Sequence, residues 1–545
     1  MNTLKPLVQR LKLILNEFNI EEDIDIKITN IDDFDYQINN LVKYQKHKEI
    51  KEIEKKVSSV LSKSKIIESW EISDKYFINI KISLSVLINS INPINNYLKS
   101  NKREKIIIDY GGPNIGKPLH VGHLRSLNIG RSLYKINKFV GNEVVSDIHL
   151  GDWGMQIAQI LTFCHNQKID IDSLDAKKLL KIYPEAASLY KKDENFTKTA
   201  KEINKKLNDS NLEEIKKWKK IKKISEDSLK DTLAVLNHSF DLWLGESDVN
   251  NLIPKMINDL KESNKVKLDN DALVSAEKTD PPILITKSDG SYLYLTTDLA
   301  TIIYRLNNID FDKILYVVDN RQKLHFQQLF QSIKYFEFPN KEYAHVEFGT
   351  VNDEEGNPFR TRDGDTKLLS ELYEETYNYI KKINKNLEDD IVHELANTVL
   401  TYSDLLTNRK TDYKFNLDKF TNISGKTGLY VQYAQVRAKR ILEKFSGNTQ
   451  NIELSLTSNE ERSLVFALLN IDVYFNLSVK YNEPHHLADY LYEISNLFNI
   501  FYQQENILNI EDENLKSSRL KITSLFLECS NTVMHCLGIN PVNKM

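Results

Sequence analysis

Cysteine is nearly absent: Cys164, Cys529 and Cys536 are the only three in 545 residues. They cannot build a disulfide framework and none has zinc-ligand spacing, so no protein-borne metal site is expected and a reducing compartment is the default. Long apolar runs are missing too; none approaches the roughly 20 residues that a membrane-spanning helix needs. Residues 1–20 have the period of an amphipathic helix without a secretory apolar block, and Glu17, Glu21 and Glu22 are more acid than a transit peptide carries. A cytoplasmic protein with no membrane association is expected. Charge of one sign is also lacking. A formal net charge of −4 excludes an indiscriminate nucleic-acid binder but permits a shaped RNA site with local basic patches. No internal repeat and no low-complexity linker interrupts the chain. What remains is an ordinary globular composition, 41% hydrophobic and 28% charged, in a chain too long for one core.

Hydrophobic periodicity divides that length. Residues 1–100 read as a small α+β domain: a helical period over 1–18, an edge strand over 23–31, a helix over 38–61 and an alternating strand over 77–87. Ile106-Ile107-Ile108 then suits a strand covered on both faces. A Gly/Pro loop at 111–118, a helical pattern over 124–140 ending at Gly141, and a strand over 144–148 follow. Strand, phosphate-sized loop and helix open a doubly wound, Rossmann-like α/β fold. Residues 157–278 are helical in pattern and highly charged, whereas 283–285, 292–295, 313–318 and 346–351 return to strand. An insertion within a parallel-sheet domain is implied. Nearly everything from 391 onward has helical period, as in a bundle. The expected division is 1–100 (α+β), 101–390 (α/β, with a helix-rich insertion at about 157–280) and 391–545 (all-α).

The most informative window runs from Pro113 to His123: Pro-Asn-Ile-Gly-Lys-Pro-Leu-His-Val-Gly-His. It leaves a strand and enters a helix, where free amides attract phosphate. His120 and His123, three apart, project from one side of the first turn. Gly122 lets a flat base or ribose approach the backbone, and Lys117 adds a mobile positive charge. Such groups can hold a triphosphate and stabilise charge at its α-phosphorus. His-x-Gly-His alone arises easily by chance; Asp109, Pro113, Asn114, Lys117 and Arg125 around it make chance a poor account.

His120-Val121-Gly122-His123 resembles the signature of class I aminoacyl-tRNA synthetases. The longer string from Asp109-Tyr110-Gly111-Gly112-Pro113-Asn114 to Arg125-Ser126 resembles the arginyl-tRNA synthetases. So do Gly151-Asp152-Trp153-Gly154 with Gln156, Tyr292 to Asp298, Val318 to Gln322 with His325, Pro358 to Arg362, and Tyr430 to Ala434 with Arg437. The resemblance covers residue 105 to the end; the first hundred residues match only in size and place. It implies ligation of L-arginine to tRNA(Arg) at the expense of ATP with Mg2+, on a class I catalytic domain. An N-terminal module would touch the tRNA elbow and a C-terminal domain the anticodon. A monomer is the family expectation.

Each implied role has a chemical reason and a plainer alternative. An arginine pocket must meet a planar, permanently charged guanidinium with carboxylates and an aromatic face or hydroxyl. Asp109, Tyr110, Tyr294 and Asp298 stand at positions resembling that pocket, with Asn114 and Gln322 at the amino and carboxylate end. The plainer alternative makes Asp298 a helix cap and Tyr294 a core residue. For ATP the resemblance implies Pro113, Asn114, Gly116, Lys117, His120, Gly122, His123, Phe359, Arg360, Thr361 and Arg362. His120, His123, Lys117 and Arg362 would do the catalytic work. The second class I loop departs from its usual form, reading Phe359-Arg360-Thr361-Arg362-Asp363-Gly364 without the second lysine; Lys117 resembles the compensating lysine. For RNA, Tyr430, Gln432, Tyr433 and Arg437, with Lys439 and Arg440, mix aromatic and basic groups as splayed bases require. The basic run from Lys216 to Lys223 reads first as a solvated helix face and second as an acceptor-stem contact. Rival readings are another class I synthetase, a small nucleotidyltransferase and a non-catalytic tRNA-binding relative. Asp109 and Asp298 disfavour a glutamate pocket, the absent Cys/His cluster a cysteine enzyme, and the helical tail a small nucleotidyltransferase.

Overall fold

The computed structural model describes Lys12 and residues 25–29, 31, 33–44, 50–90, 103–357, 359, 367–445, 454–505 and 507–545. Apart from Lys12, the expected helix over 1–18 lies outside them, as do Arg360, Thr361 and Arg362. In the N-terminal part, β1 (Ile26–Ile28), β2 (Tyr36–Ile38), β3 (Ile67–Ile72) and β4 (Ile78–Ile82) form an antiparallel sheet in the order β1-β2-β4-β3, with helix α1 (Ile50–Lys63) between β2 and β3. The helix expected from 38 therefore starts later, because Tyr36–Ile38 is spent on the sheet.

Four parallel strands carry the middle of the chain. They are β5 (Lys105–Tyr110), β6 (Glu143–Asp147), β10 (Lys313–Val317) and β11 (Glu342–His345), in the order β11-β10-β5-β6. Their numbering leaves room for the insertion strands β7 (Val266–Asp269), β8 (Ala272–Ser275) and β9 (Leu284–Thr286). Ile106 and Ile108 enter one core and Ile107 the other, so the apolar run is buried on both faces as its composition predicts. From β5 the chain crosses by α2 (Leu124–Phe139) to β6 on one side, and later returns to β10 on the other. That reversal leaves a crevice at the carboxyl ends of β5 and β10, where open α/β sheets bind ligands.

Two strand expectations change. Residues 292–295 lead into a helix that begins at Tyr294, because Tyr292 bridges back to Thr286 and the Thr296 hydroxyl bonds to the Ile285 carbonyl, closing the turn early. The last parallel strand lies at 342–345 rather than 346–351, and β12 (Val351–Asn352) pairs instead with β13 (Tyr413–Lys414). The insertion is not wholly helical. After α3 (Met155–Asn166), α4 (Ala176–Lys192), α5 (Glu194–Asn208) and α6 (Leu212–Val235) comes the β7-β8-β9 meander. Its first turn uses Asn270 and Asp271, both at positive φ, as a two-residue hairpin requires.

Helices α7 (Tyr294–Asn308) and α8 (Lys323–Tyr335) flank β10. The remaining part is helical: α9 (Leu369–Ile383), α10 (Asp389–Leu405), α11 (Gly428–Glu443), α12 (Asn459–Leu469), α13 (Ile471–Tyr481), α14 (His485–Gln504) and α15 (Glu513–Leu537). Residues 459–481 are, by length and composition, apolar enough to cross a membrane, contrary to the expectation of no such run. They form two helices meeting at Asn470, with Ile471 and Phe475 in the core. Helix α2 packs against α10, α13 and α15. Arg125 is sealed there, with Nε 2.9 Å from Asp404 and Nη1 2.7 Å from the Thr411 carbonyl.

Candidate active site

The turn that follows β5 is held by hydrogen bonds to its neighbours. Ser126 Oγ receives the Gly111 N–H (2.9 Å) and donates to the Val317 carbonyl (2.7 Å), pinning the ends of β5 and β10 together. Pro113 accepts from the Gly151 N–H, and Asn114 lies so close that a Cβ on Gly151 would sit 1.9 Å from its Oδ1. Gly116 faces inward, donating to Ser225 Oγ of α6 at 3.0 Å. His120 caps the short turn Val121–His123, its Nδ1 accepting the Gly122 N–H at 3.1 Å. The neutral ring therefore carries its proton on Nε2. His123 Nδ1 lies 3.1 Å from the His120 N–H and 3.2 Å from the His120 carbonyl, and the two rings are 4.0 Å apart. A Cβ on Gly122 would fall 2.8 Å from the His120 ring. The glycine thus makes room for His120 itself, where the sequence pointed to a nucleotide.

Both histidines are neutral donors. Burial lowers the pKa of His120, helped by the charges of Lys117 and Arg321; burial and then His120 push His123 down to about 3. Positive charge comes instead from Lys117, 4.6 Å over the Tyr183 ring, and from Arg321, which forks onto Asp319. The far end of the second loop reaches the same turn: the Val121 N–H donates to the Lys367 carbonyl, and Lys367 lies over the Phe359 ring.

Across the crevice stands an acidic wall. Tyr294 is the first residue of α7, with Leu293 as the cap, so Tyr294 and Asp298 lie one turn apart on one helix. Tyr294 is 69% exposed, which rules out the core reading, and Asp298 caps nothing. His325 of α8 places Nε2 2.5 Å from Asp298 Oδ2. Burial disfavours protonation of His325, but the hydrogen bond and charge of Asp298 prevail and raise its pKa. Glu246 completes the wall, its pKa pushed up to about 8 by burial and then by Asp298 and Asp152. Burial, then Glu246 and Tyr183, raise the Tyr294 hydroxyl. Gln322 ends the turn Asn320–Gln322 at the mouth. Lys117 over Tyr183 and the Asp298–His325 pair are thus in direct contact, while Glu246 feels the charge of Asp298, and His120 that of Arg321.

Two pocket residues leave the list. Asp109 is buried, and an internal guanidinium already takes its Oδ2: Arg305 Nη2 sits 2.5 Å from Asp109 and 2.6 Å from Asp147. Burial still raises the Asp109 pKa despite that charge. Tyr110 packs over Gly130 and Phe240 and is 1% exposed. The glycine-flanked acid Asp152 is a latch; its carboxylate holds the Ser247 N–H and hydroxyl and Lys222, and its carbonyl holds Trp218 Nε1. The basic run is largely spent in the same way: Lys217 pairs with Glu213 and Glu214, Lys220 with Asp172, and Lys223 with Asp227.

On α11, Arg437 lies between the exposed rings of Tyr433 (4.5 Å) and Tyr502 (4.4 Å). The Tyr430 hydroxyl bonds to Asn496. Gln432 belongs to the interior, contrary to expectation. It is fully buried, donates to Thr398 and the Asn540 carbonyl and accepts the Val542 N–H, so no hydrogen-bonding group is left for RNA.

Comparison with known proteins decides what this geometry belongs to. Residues 86–417 match the family model of class I tRNA synthetases (R), catalytic domain. The chain belongs to the arginyl-tRNA synthetases. Flanking matches place the arginyl-tRNA synthetase N-terminal domain at 4–82 and the DALR anticodon-binding domain at 431–545. The arginine–tRNA ligase of Francisella tularensis subsp. novicida is 33% identical over 515 residues, 88% of each chain, and that of Agathobacter rectalis is 34% identical over 90% of each. The crystal structure of arginyl-tRNA synthetase from Plasmodium falciparum superimposes with a TM-score of 0.84 at 27% identity, covering 99% of both chains.

Glu246 lies outside every motif on which the resemblance to the arginyl-tRNA synthetases rests. Residues 242–246 run beside β6 as an extra parallel edge, through Leu242 to Ser146 and Leu244 to Leu150. The local signal was slight: apolar Leu242 and Leu244 alternate before Gly245, inside a stretch otherwise helical and charged. Gly245 is needed because a Cβ there would meet the Asp152 carboxylate at 2.6 Å.

Proposed function

We propose that this chain joins L-arginine to tRNA(Arg) in two steps, with the guanidinium held by Asp298, Glu246 and Tyr294. The juxtaposition of that acidic wall with the histidine turn carries the reading. Asn114 and Gln322 hold the amino and carboxylate end. The arginine carboxylate attacks the α-phosphorus of ATP and pyrophosphate leaves. His120 and His123 donate from Nε2 to the phosphoryl oxygens while Lys117, Arg321 and the loop residues Arg360 and Arg362 balance the triphosphate. No protein nucleophile or base is needed, because positioning and electrostatics supply the rate. In the second step the 2′-hydroxyl of the terminal ribose takes the arginyl group, its proton leaving with AMP.

Magnesium rides on the triphosphate in this proposal. Lys117, His120, His123 and Arg321 are donors or cations and build no oxygen cage of the kind Mg2+ demands, so no step is routed through it. Residues 1–100 are assigned to the tRNA elbow, 101–390 to chemistry and 391–545 to the anticodon, where Tyr433 and Arg437 stack on bases beside Tyr430. A cytoplasmic monomer whose first step needs tRNA completes the proposal. Pyrophosphate exchange with each of the twenty amino acids, with and without total tRNA, tests it. Exchange with arginine alone and only with tRNA is expected. Exchange driven by another amino acid sinks the pocket assignment.

A further inference from the structure

The corner joining α13 to α14 gathers three donors. Asn482 adopts the left-handed conformation (φ 52°), turning the chain so that Glu483, His485 and His486 converge with donor atoms within 4.8 Å of one another. His485 Nδ1 lies 3.9 Å and His486 Nε2 3.4 Å from the same oxygen of Glu483. Neither nitrogen makes a hydrogen bond, and both are sealed from solvent. The rings lie 4.1 Å apart.

Two orphaned imidazole nitrogens facing one carboxylate need a shared partner. A metal ion with bonds of about 2.0–2.2 Å to each donor holds them roughly 3.3–3.6 Å apart; His486 Nε2 already lies 3.4 Å from Glu483, and His485 Nδ1, at 3.9 Å, needs only a small shift. The Arg409 charge stands beside the corner, but its fork is turned onto the carbonyls of Asn482, Tyr481 and Glu347. The other triplet of this kind among the described residues, Asp109, Asp147 and His149, already holds a cation in Arg305.

We propose that Glu483, His485 and His486 form a zinc-class divalent cation site. Two nitrogens and one carboxylate oxygen suit Zn2+ or its relatives over Mg2+ or Ca2+. Such an ion braces the corner whose carbonyls seat Arg409. Arg409 in turn holds the Glu347 carbonyl, next to Phe348, whose own carbonyl receives the Asn320 N–H at the crevice.

The test uses the full chain, stripped with chelator and titrated with Zn2+ by calorimetry and with Co2+ by visible absorption. About one tight equivalent per chain is expected, with Co2+ bands of a low-coordinate nitrogen site and a Zn2+-dependent rise in Tm. His486→Gln and Glu483→Gln should each weaken binding on the order of 100-fold and abolish that rise. Wild-type protein that takes up no metal below roughly millimolar concentration overturns the proposal, since a water then suffices to bridge the corner. Equal binding by wild type and both variants overturns it as well. If a variant fails to fold, the wild-type Co2+ spectrum decides alone: oxygen-only, octahedral bands rule the site out.

Discussion

Replacing Glu246 by glutamine should strengthen the fold and weaken the function. In the free protein this carboxyl ionises only near pH 8, against an ordinary value of 4.5. Because the folded value is raised, stability tied to this group is complete below 4.5 and drains away as pH climbs from 4.5 to 8. Keeping the proton at about pH 7 costs about 3 kcal/mol. The amide of Glu246→Gln does not titrate, so the variant should be more stable than wild type by up to that amount at neutral pH, with no gain in acid. Arginine binding has the opposite demand. A guanidinium beside Glu246 favours the carboxylate, so the proton must leave on binding, at a cost of about 1.4 kcal/mol near pH 7. Wild-type affinity should therefore tighten about tenfold between roughly pH 7 and pH 8.5 and then level off. Calorimetry in buffers of different ionisation enthalpy should find close to one proton released per arginine near pH 7. The variant should bind on the order of 100-fold more weakly at pH 8.5, without that release. His325, paired to Asp298, titrates too, and any release surviving in Glu246→Gln belongs to it. Arginine affinity that is flat with pH and unchanged in the variant would refute the reasoning.

Gly122→Ala should leave the fold intact while slowing pyrophosphate exchange by on the order of 100-fold, because the new methyl displaces the His120 ring 2.8 Å away. A variant with wild-type kcat would mean that His120 orientation is immaterial. Arg305→Leu should cost about 3–5 kcal/mol in urea unfolding, since it strands two buried carboxylates, and the loss should ease in acid as Asp109, whose pKa burial already raises, takes up a proton. A pH-independent loss contradicts the charge argument. Tyr433→Ala should raise KM for tRNA by roughly 1–3 kcal/mol equivalent, as the loss of one stacked base would, and leave arginine KM alone; an unchanged tRNA KM removes this face from the RNA site.

What could be read in the sequence was local. The turn 113–123 obeys rules that act within a few residues, and strand β5 announces itself by an apolar run. Tyr294 misled because Tyr-Leu-Tyr-Leu alternates like a strand, whereas a bond from Thr296 to Ile285, outside the motif, starts the helix. Asp109 and Gln432 misled for another reason. Their chemistry fits the proposed ligands, but Arg305 and the segment 540–542 reach them first, from far along the chain. Glu246 is the converse case, carried to Asp298 by pairing with β6 across about a hundred residues and invisible to any spacing rule.

The burial of α2 has a consequence for how this molecule can be divided. The helix that begins at the catalytic turn is the same rod on which α10, α13 and α15 lean, and its Arg125 has its counter-ion, Asp404, on α10. Cutting the chain near residue 390 would bare that rod and leave a guanidinium stranded in apolar surroundings. The sheet domain and the C-terminal helices are therefore built around one shared axle.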